Sequence, residues 1–183
     1  MPGLFMFLIG SSPRGRHVEQ HDVFFCVCNQ PKDAVPAMIS FWPEAEGKLH
    51  VDSWREIRFV DGHEIRVIPK HPGIHETNKL FFINLGGYKP GEFEEFHYKM
   101  LAVAPDKGHA IQKARSTAFY KHTGFTGAPS HVDDKFGIDV DDAHEITDIL
   151  PPGHKDKFSL QITPVSDPGT DEIHLGYFRL EKL

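Results

Sequence analysis

LHVDSWREI at residues 49–57 and IDVDDAHEI at residues 138–146 are nearly the same phrase, written twice 89 positions apart. Internal repetition decides more about a fold than any local propensity, because each copy of a repeat is one structural unit. Working outward, residues 4–38 laid over 80–114 without gaps match at Leu4/Leu80, Phe5/Phe81, Gly10/Gly86, Gly15/Gly91, Glu19/Glu95, His21/His97, Val27/Val103 and Ala34/Ala110. A rival offset of 81 aligns HVDSW (50–54) with HVDDK (131–135), and HEI (63–65) with HEI (144–146). The offset of 89 is preferred because it also lets EIRVIP (64–69) correspond to SLQITP (159–164), which keeps the elements in order.

Both copies share one grammar. An apolar strand (LFMFLIG; LFFINLG) runs into a Gly/Pro loop, then a second strand (HDVFFCVC; HYKMLAVA), then a helix. Ala34, Val35, Met38, Ile39 and Trp42 fall at helical spacing in the first copy, with Pro36 at an early turn or a kink. Ala110, Ile111, Ala114, Ala118 and Phe119 do so in the second, behind Asp106 as N-cap. The opening phrase follows, and VDG at 60–62 signals a hairpin before HEIRVIP. EIHLGYFRLE (172–181) reads as one more strand. The expectation is an α+β protein of two tandem ββαββ-like repeats with antiparallel sheets, related by a pseudo-two-fold. The first repeat is placed at 1–70, a linker at 71–79, the second repeat at 80–165 and a C-terminal strand extension at 166–183, all in one globule.

A net charge of −6 and a pI near 6.1 argue against nucleic acid as a partner, although Arg55, Arg58 and Arg66 supply a local basic face. The two cysteines, Cys26 and Cys28, are too few and too close for a disulfide framework, so a reducing, cytoplasmic setting is expected. The start, MPGLFMFLIGSSPRG, lacks a basic leader region and returns inside the chain as LFFINLGG, so it reads as structure rather than a secretory signal. No apolar run is long enough to span a bilayer.

Three constellations carry potential chemistry. Glu19-x-His21 and Glu95-x-His97 put a carboxylate and an imidazole on one face of a strand, where they can share a metal, position a base or decorate a polar hairpin mouth. The plainer, decorative reading is preferred. Asp52 and Asp141 lie in the repeated phrase. If that phrase is extended, Leu49, Val51 and Ile57 face inward while His50, Asp52 and Glu56 face out. If it opens a helix, Ser53-x-x-Glu56 and Asp142-x-x-Glu145 are capping boxes, and this second reading is preferred. His131 and Asp133 form a further metal-ligand pair, but no HExxH or CxxC motif accompanies the 13 histidines. The loops GSSPRG and GGYKPG match neither phosphate-binding nor dinucleotide-binding patterns. No cofactor is implied by any motif.

The stretches LFMFLIG…HDVFFCVCNQPKDAVPAM…LHVDSWREIRFVDGHEI resemble a bacterial family known as domain of unknown function 1543. LFFINLGGYKPGEFEEFHYKMLAVA…IDVDDAHEI resembles a second copy of it, so that the resemblance spans about residues 4–165. It implies bacterial origin and one or two copies per chain, and it brings no activity or catalytic residues with it. The copies differ most at 120–137. The functional expectation is a non-enzymatic binding or interaction protein, able to form a homo-oligomer. Its alternative is a small, metal-assisted hydrolase or isomerase using His, Asp and Glu between the repeats, in a cleft where loops 10–18 and 86–96 approach.

Overall fold

In the computed structural model, residues 2–71, 77–88, 93–122 and 139–183 are described. Two compact units emerge: one combines Met1–Ile74 with Ile149–Leu183, and the other spans His75–Asp148. Helices and antiparallel sheets in both make the chain α+β.

The first unit is built on β1 (Gly3–Ser11), β2 (Gln20–Cys28) and β3 (His50–Glu56). The β1–β2 ladder pairs Phe7 with Phe24 and Gly10 with His21, and the β1–β3 ladder pairs Phe7 with Trp54 and Gly10 with His50. Cross-strand partners share a face. One face therefore carries Phe5, Phe7, Ile9, Phe24, Cys26, Cys28 and Val51, all buried against Ala34, Met38 and Ala45. Met38 belongs to α1 (Val35–Phe41), which follows a short 3-10 turn over Pro31–Ala34. Pro36 sits in the first turn of α1, where its missing N–H costs no helical hydrogen bond. The helix ends at Phe41, before Trp42 and Pro43, and Ile39 of the expected stripe is exposed.

After β3 come β4 (Phe59–Val60) and β5 (His63–Pro69), joined through Asp61 and Gly62, both at positive φ as a two-residue hairpin turn of mirror-image type requires. β5 also pairs along its whole length with β9 (Phe158–Pro164), which follows the one-turn helix at His154–Lys157. The order in this sheet is β4-β5-β9. The C-terminal β10 (His174–Arg179) returns to the outer edge of β3, so the larger sheet runs β10-β3-β1-β2. Asp171, buried just before β10, accepts hydrogen bonds from the backbone N–H groups of Arg58 and Phe59 at 3.2–3.4 Å.

The second unit has β6 (Lys79–Tyr88) central between β7 (Glu95–Ala104) and β8 (Asp139–Glu145). One face of this sheet carries Phe81, Ile83, Leu85, Ala102, Ala104 and Ala143 against Ala110 and Ala114 of α2 (Lys107–His122). Alanine at these successive helical turns lets the helix axis approach the aromatic and aliphatic strand residues closely. Asp106 caps α2, its carboxylate accepting the His109 backbone N–H at 2.9 Å. That bond, and the His109 side chain beside it, hold the Asp106 carboxyl below its usual range. No described helix is long and apolar enough to cross a membrane.

β3 and β8 are both strands throughout, so the capping-box reading of Ser53/Glu56 and Asp142/Glu145 is wrong. The strict-alternation reading fails too, for a reason found at one residue. The β1–β3 ladder steps from Leu8/Ser53 to Ile9/Val51, leaving Asp52 as an extra residue in a bulge. The β3–β10 ladder is irregular at the same point, between Leu175/Ser53 and Phe178/Val51. A bulge exchanges the faces on either side of it. Val51 and Trp54 therefore share the helix-side face, and Glu56, expected on the other face, pairs with Phe5 on that side too; His50 lies on the opposite face as expected but is buried there. In the second unit the β6–β8 ladder steps from Asn84/Asp142 to Leu85/Val140, so that Asp141 is the extra residue.

Candidate metal centre

The face opposite the α1 core has a polar end. Gly10 lies there between His21 on β2 and His50 on β3, with Glu19 just before β2 and the bulged Asp52 beside them. His50 Nε2 is 3.3 Å from Glu19 Oε1 and 3.3 Å from Asp52 Oδ1. His21 Nε2 is 3.1 Å from Asp52 Oδ2 and 3.7 Å from Glu19 Oε2. One ligand atom from each of Glu19, His21 and His50 lies within 4.8 Å of the other two.

These atoms are close without being hydrogen-bonded. His50 Nε2 and Asp52 Oδ2 are buried and have no hydrogen-bond partner among the described residues, although each stands at ion-pair distance from a neighbour of opposite kind. A buried polar atom left in that condition costs about 1–3 kcal/mol, so such atoms mark places where something else is bound. The His50 side chain is 7% exposed, whereas His21 and Glu19 are 40% and 43% exposed. One wall is therefore fixed in the interior and the other opens to solvent.

The local sequence explains the geometry. A Cβ on residue 10 would collide with His50 Nε2 and come within 3.0 Å of Asp52 Oδ2, so only glycine leaves the imidazole its position. The bulge frees Asp52 from the ladder and turns its carboxylate toward the histidines. The Tyr177 ring stacks on His50, with centroids 4.3 Å apart and planes at 27°. It reaches that place because Gly176, at φ 152°, takes the irregular position in β10.

Of the residues expected from sequence, Glu19, His21 and Asp52 are brought into this cluster. Glu95 and His97 lie at the start of β7, with His97 Nε2 3.9 Å from Glu95 Oε2. Asp141 lies in β8 of the same sheet, and its side chain is outside the described set. His131 and Asp133 lie outside the described residues, as do residues 89–92 of the second glycine loop. The member missed from sequence is His50. Its signal was the glycine it faces, legible only once the β1–β3 register is known.

Other reactive groups are committed elsewhere. Cys26 and Cys28 are free and buried. The Cys28 thiol is driven far above the ordinary range by its hydrogen bond to Cys26 and by burial, which removes it as a nucleophile at neutral pH. Arg58 and Arg66 of the basic face stand 3.8 Å and 3.0 Å from Glu56 and Glu64.

Residues 16–67 match the model of a family described as Domain of Unknown Function (DUF1543). That interval contains Glu19, His21, His50 and Asp52. The chain is similar in fold to a crystal structure of a protein Il1583 from Idiomarina loihiensis, with a TM-score of 0.65 and 23% identity over 98% of this chain and 99% of that one. No curated protein matches it.

Proposed function

We propose that the protein is a non-enzymatic binding protein whose ligand is a cation, held at the polar end of the larger sheet of the first unit. One observation carries this reading: ligand atoms of Glu19, His21 and His50 converge, Asp52 stands at ion-pair distance from both histidines, and His50 Nε2 and Asp52 Oδ2 are buried and unsatisfied among the described residues. Two carboxylates and two imidazoles together form an electron-rich pocket, and a positive guest removes the desolvation cost of both orphaned atoms.

We also read the chain as a tandem duplication of one α+β unit. The support is the agreement of ladders. Gly10/His21 and Gly86/His97 are matching pairs at a common offset of 76, and Phe7/Trp54 and Ile83/Ala143 match at 76 and 89. The extra residue falls at Asp52 in one ladder and Asp141 in the other. A shared bulge is stronger support than shared identities, since bulges persist as designed features. Arg66 pairs with Gln161 at the centre of the β5–β9 ladder, and these are counterparts under the EIRVIP/SLQITP correspondence.

The test of the binding reading is native mass spectrometry on protein purified without chelators or an affinity metal column. Calorimetric titrations with inorganic divalent cations, guanidinium and alkylamines accompany it, beside a broad hydrolase and isomerase substrate panel. A bound cation and no turnover are expected. Turnover on the panel abolished by His50→Ala, or the absence of binding by every cation, would overturn it.

A further inference from the structure

Resting on the reading that this end of the sheet binds a cation, we infer that the cation is a first-row transition metal held tetrahedrally, with zinc the best fit. Its ligands are Nε2 of His21, Nε2 of His50 and one carboxylate oxygen each from Glu19 and Asp52. The argument is one of edge lengths. Zinc bonds to nitrogen and oxygen at about 2.0–2.2 Å, and a tetrahedron built on such bonds has ligand-to-ligand edges of about 3.3–3.6 Å. His50 Nε2 lies 3.3 Å from Glu19 Oε1 and 3.3 Å from Asp52 Oδ1, and His21 Nε2 lies 3.7 Å from Glu19 Oε2 and 3.1 Å from Asp52 Oδ2. Each imidazole thus meets a different oxygen of each carboxylate at about a tetrahedral edge length, and a turn of each carboxylate brings one oxygen to both.

Other guests fail on size or donor type. An ammonium or guanidinium nitrogen sits about 2.8 Å from each acceptor, so a tetrahedral shell around it has edges of about 4.6 Å, wider than the separations found. Calcium and magnesium take oxygen shells of six or more, and two imidazole nitrogens do not suit them. Square-planar copper(II) would need neighbouring donors about 2.8 Å apart. Imidazole with carboxylate in a tetrahedral arrangement is zinc's own donor chemistry.

The site is also prepared for a metal on its buried side. His50 is fixed by three independent features: the absent Cβ of Gly10, the Tyr177 ring and its own burial. Asp52 is set by the bulge. Glu19 and His21 are the half-exposed ligands, so the ion enters from the solvent side and they close on it.

Chelator-stripped full-length protein titrated with Zn²⁺ against a chromophoric competitor tests this, together with Co²⁺ substitution followed by visible absorption. One tightly held Zn²⁺ is expected, its affinity falling at least 100-fold in His21→Ala and in His50→Ala. Bound Co²⁺ is expected to give the intense d–d bands of a tetrahedral field. His21→Ala keeps the interpretation clear of folding, since His21 is half-exposed, and circular dichroism of the apo variants checks each. Zn²⁺ held no better than Mg²⁺, weak octahedral Co²⁺ bands, or unchanged affinity in a folded His21→Ala would each overturn the metal assignment. An alkylamine or guanidinium bound where Zn²⁺ is not would sink the zinc inference and leave the cation reading standing. No guest of either kind would end both.

Discussion

At the scale of the residue, the smallest side chains are the most constrained. Gly10 is a clear case, because the space a methyl group would need is taken by His50 Nε2 and Asp52 Oδ2. Gly10→Ala is expected to lower Zn²⁺ affinity at least tenfold while costing about 1–3 kcal/mol of stability, the usual range for overpacking a well-filled site. Competitive metal titration and urea denaturation on the same variant check the two parts, and unchanged affinity would remove Gly10 from the site. His154 carries a separate, pH-dependent effect. Its Nδ1 accepts the Val27 backbone N–H at 3.4 Å, and burial, then Lys157, holds its pKa below the ordinary histidine value. A base with a depressed folded pKa binds fewer protons folded than unfolded, so its contribution is complete above the unfolded value, about 6.5, and is lost as pH falls through the folded one. Urea midpoints between pH 5 and 7.5 should therefore drop more steeply toward acid in the native protein than in His154→Gln. Parallel curves would refute the assignment.

At the scale of the element, each strand is specified by its apolar alternation, whereas its neighbour is specified by something less local. β10 shows this. Its pairing with β3 is irregular and its outer side chains Leu175 and Tyr177 are exposed, so the ladder alone holds it weakly. Two further contacts secure it: the Trp54–His174 stack at 3.8 Å and the Asp171 carboxylate bound to two backbone N–H groups. Asp171→Ala strands both donors and is expected to cost about 1.5–3 kcal/mol, the range for hydrogen bonds to a charged group. Asp171→Asn, which keeps one acceptor oxygen, should cost less, and chemical denaturation distinguishes them. What was legible in the sequence follows the same division. Apart from β3 and β8, which the capping-box pattern disguised, the strands, the VDG turn and the Asp106 cap were readable because each rests on residues within a few positions of one another. The Asp52 bulge was not, because periodicity assumes an unbroken alternation; His50 falls on the expected face, but burial of that face, with Tyr177 stacked on the ring, was not readable from the strand alone. Glu19, His21 and Asp52 were therefore visible as candidates, while the residue that completes the cluster was hidden by the register.

At the scale of the whole molecule, the chain closes its first unit only after completing its second. Residues 149–183 return to the unit formed by Met1–Ile74, supplying β9 to β5 and β10 to β3. Periodicity within EIRVIP or SLQITP could not announce that the two segments pair, since each is equally good beside any strand with a compatible face. The dependence is testable by ending the chain at two points. A chain stopped after Ser166 keeps β9 but loses β10, Asp171 and Tyr177. It should fold, with a lower urea midpoint and weaker Zn²⁺ binding, because β3 becomes an open edge and His50 loses its aromatic cover. A chain stopped after Asp148 also strips β5 of its long partner and exposes Ile65, which is 4% exposed in the full chain. Two bare edges beside apolar side chains template association between molecules, so this shorter chain should bind a hydrophobic dye, lack a cooperative transition and aggregate. A sharp unfolding transition at the full-length midpoint in the 1–148 chain would show that the first unit is already complete before β9 is made, and the C-terminal return would then have no part in closing it.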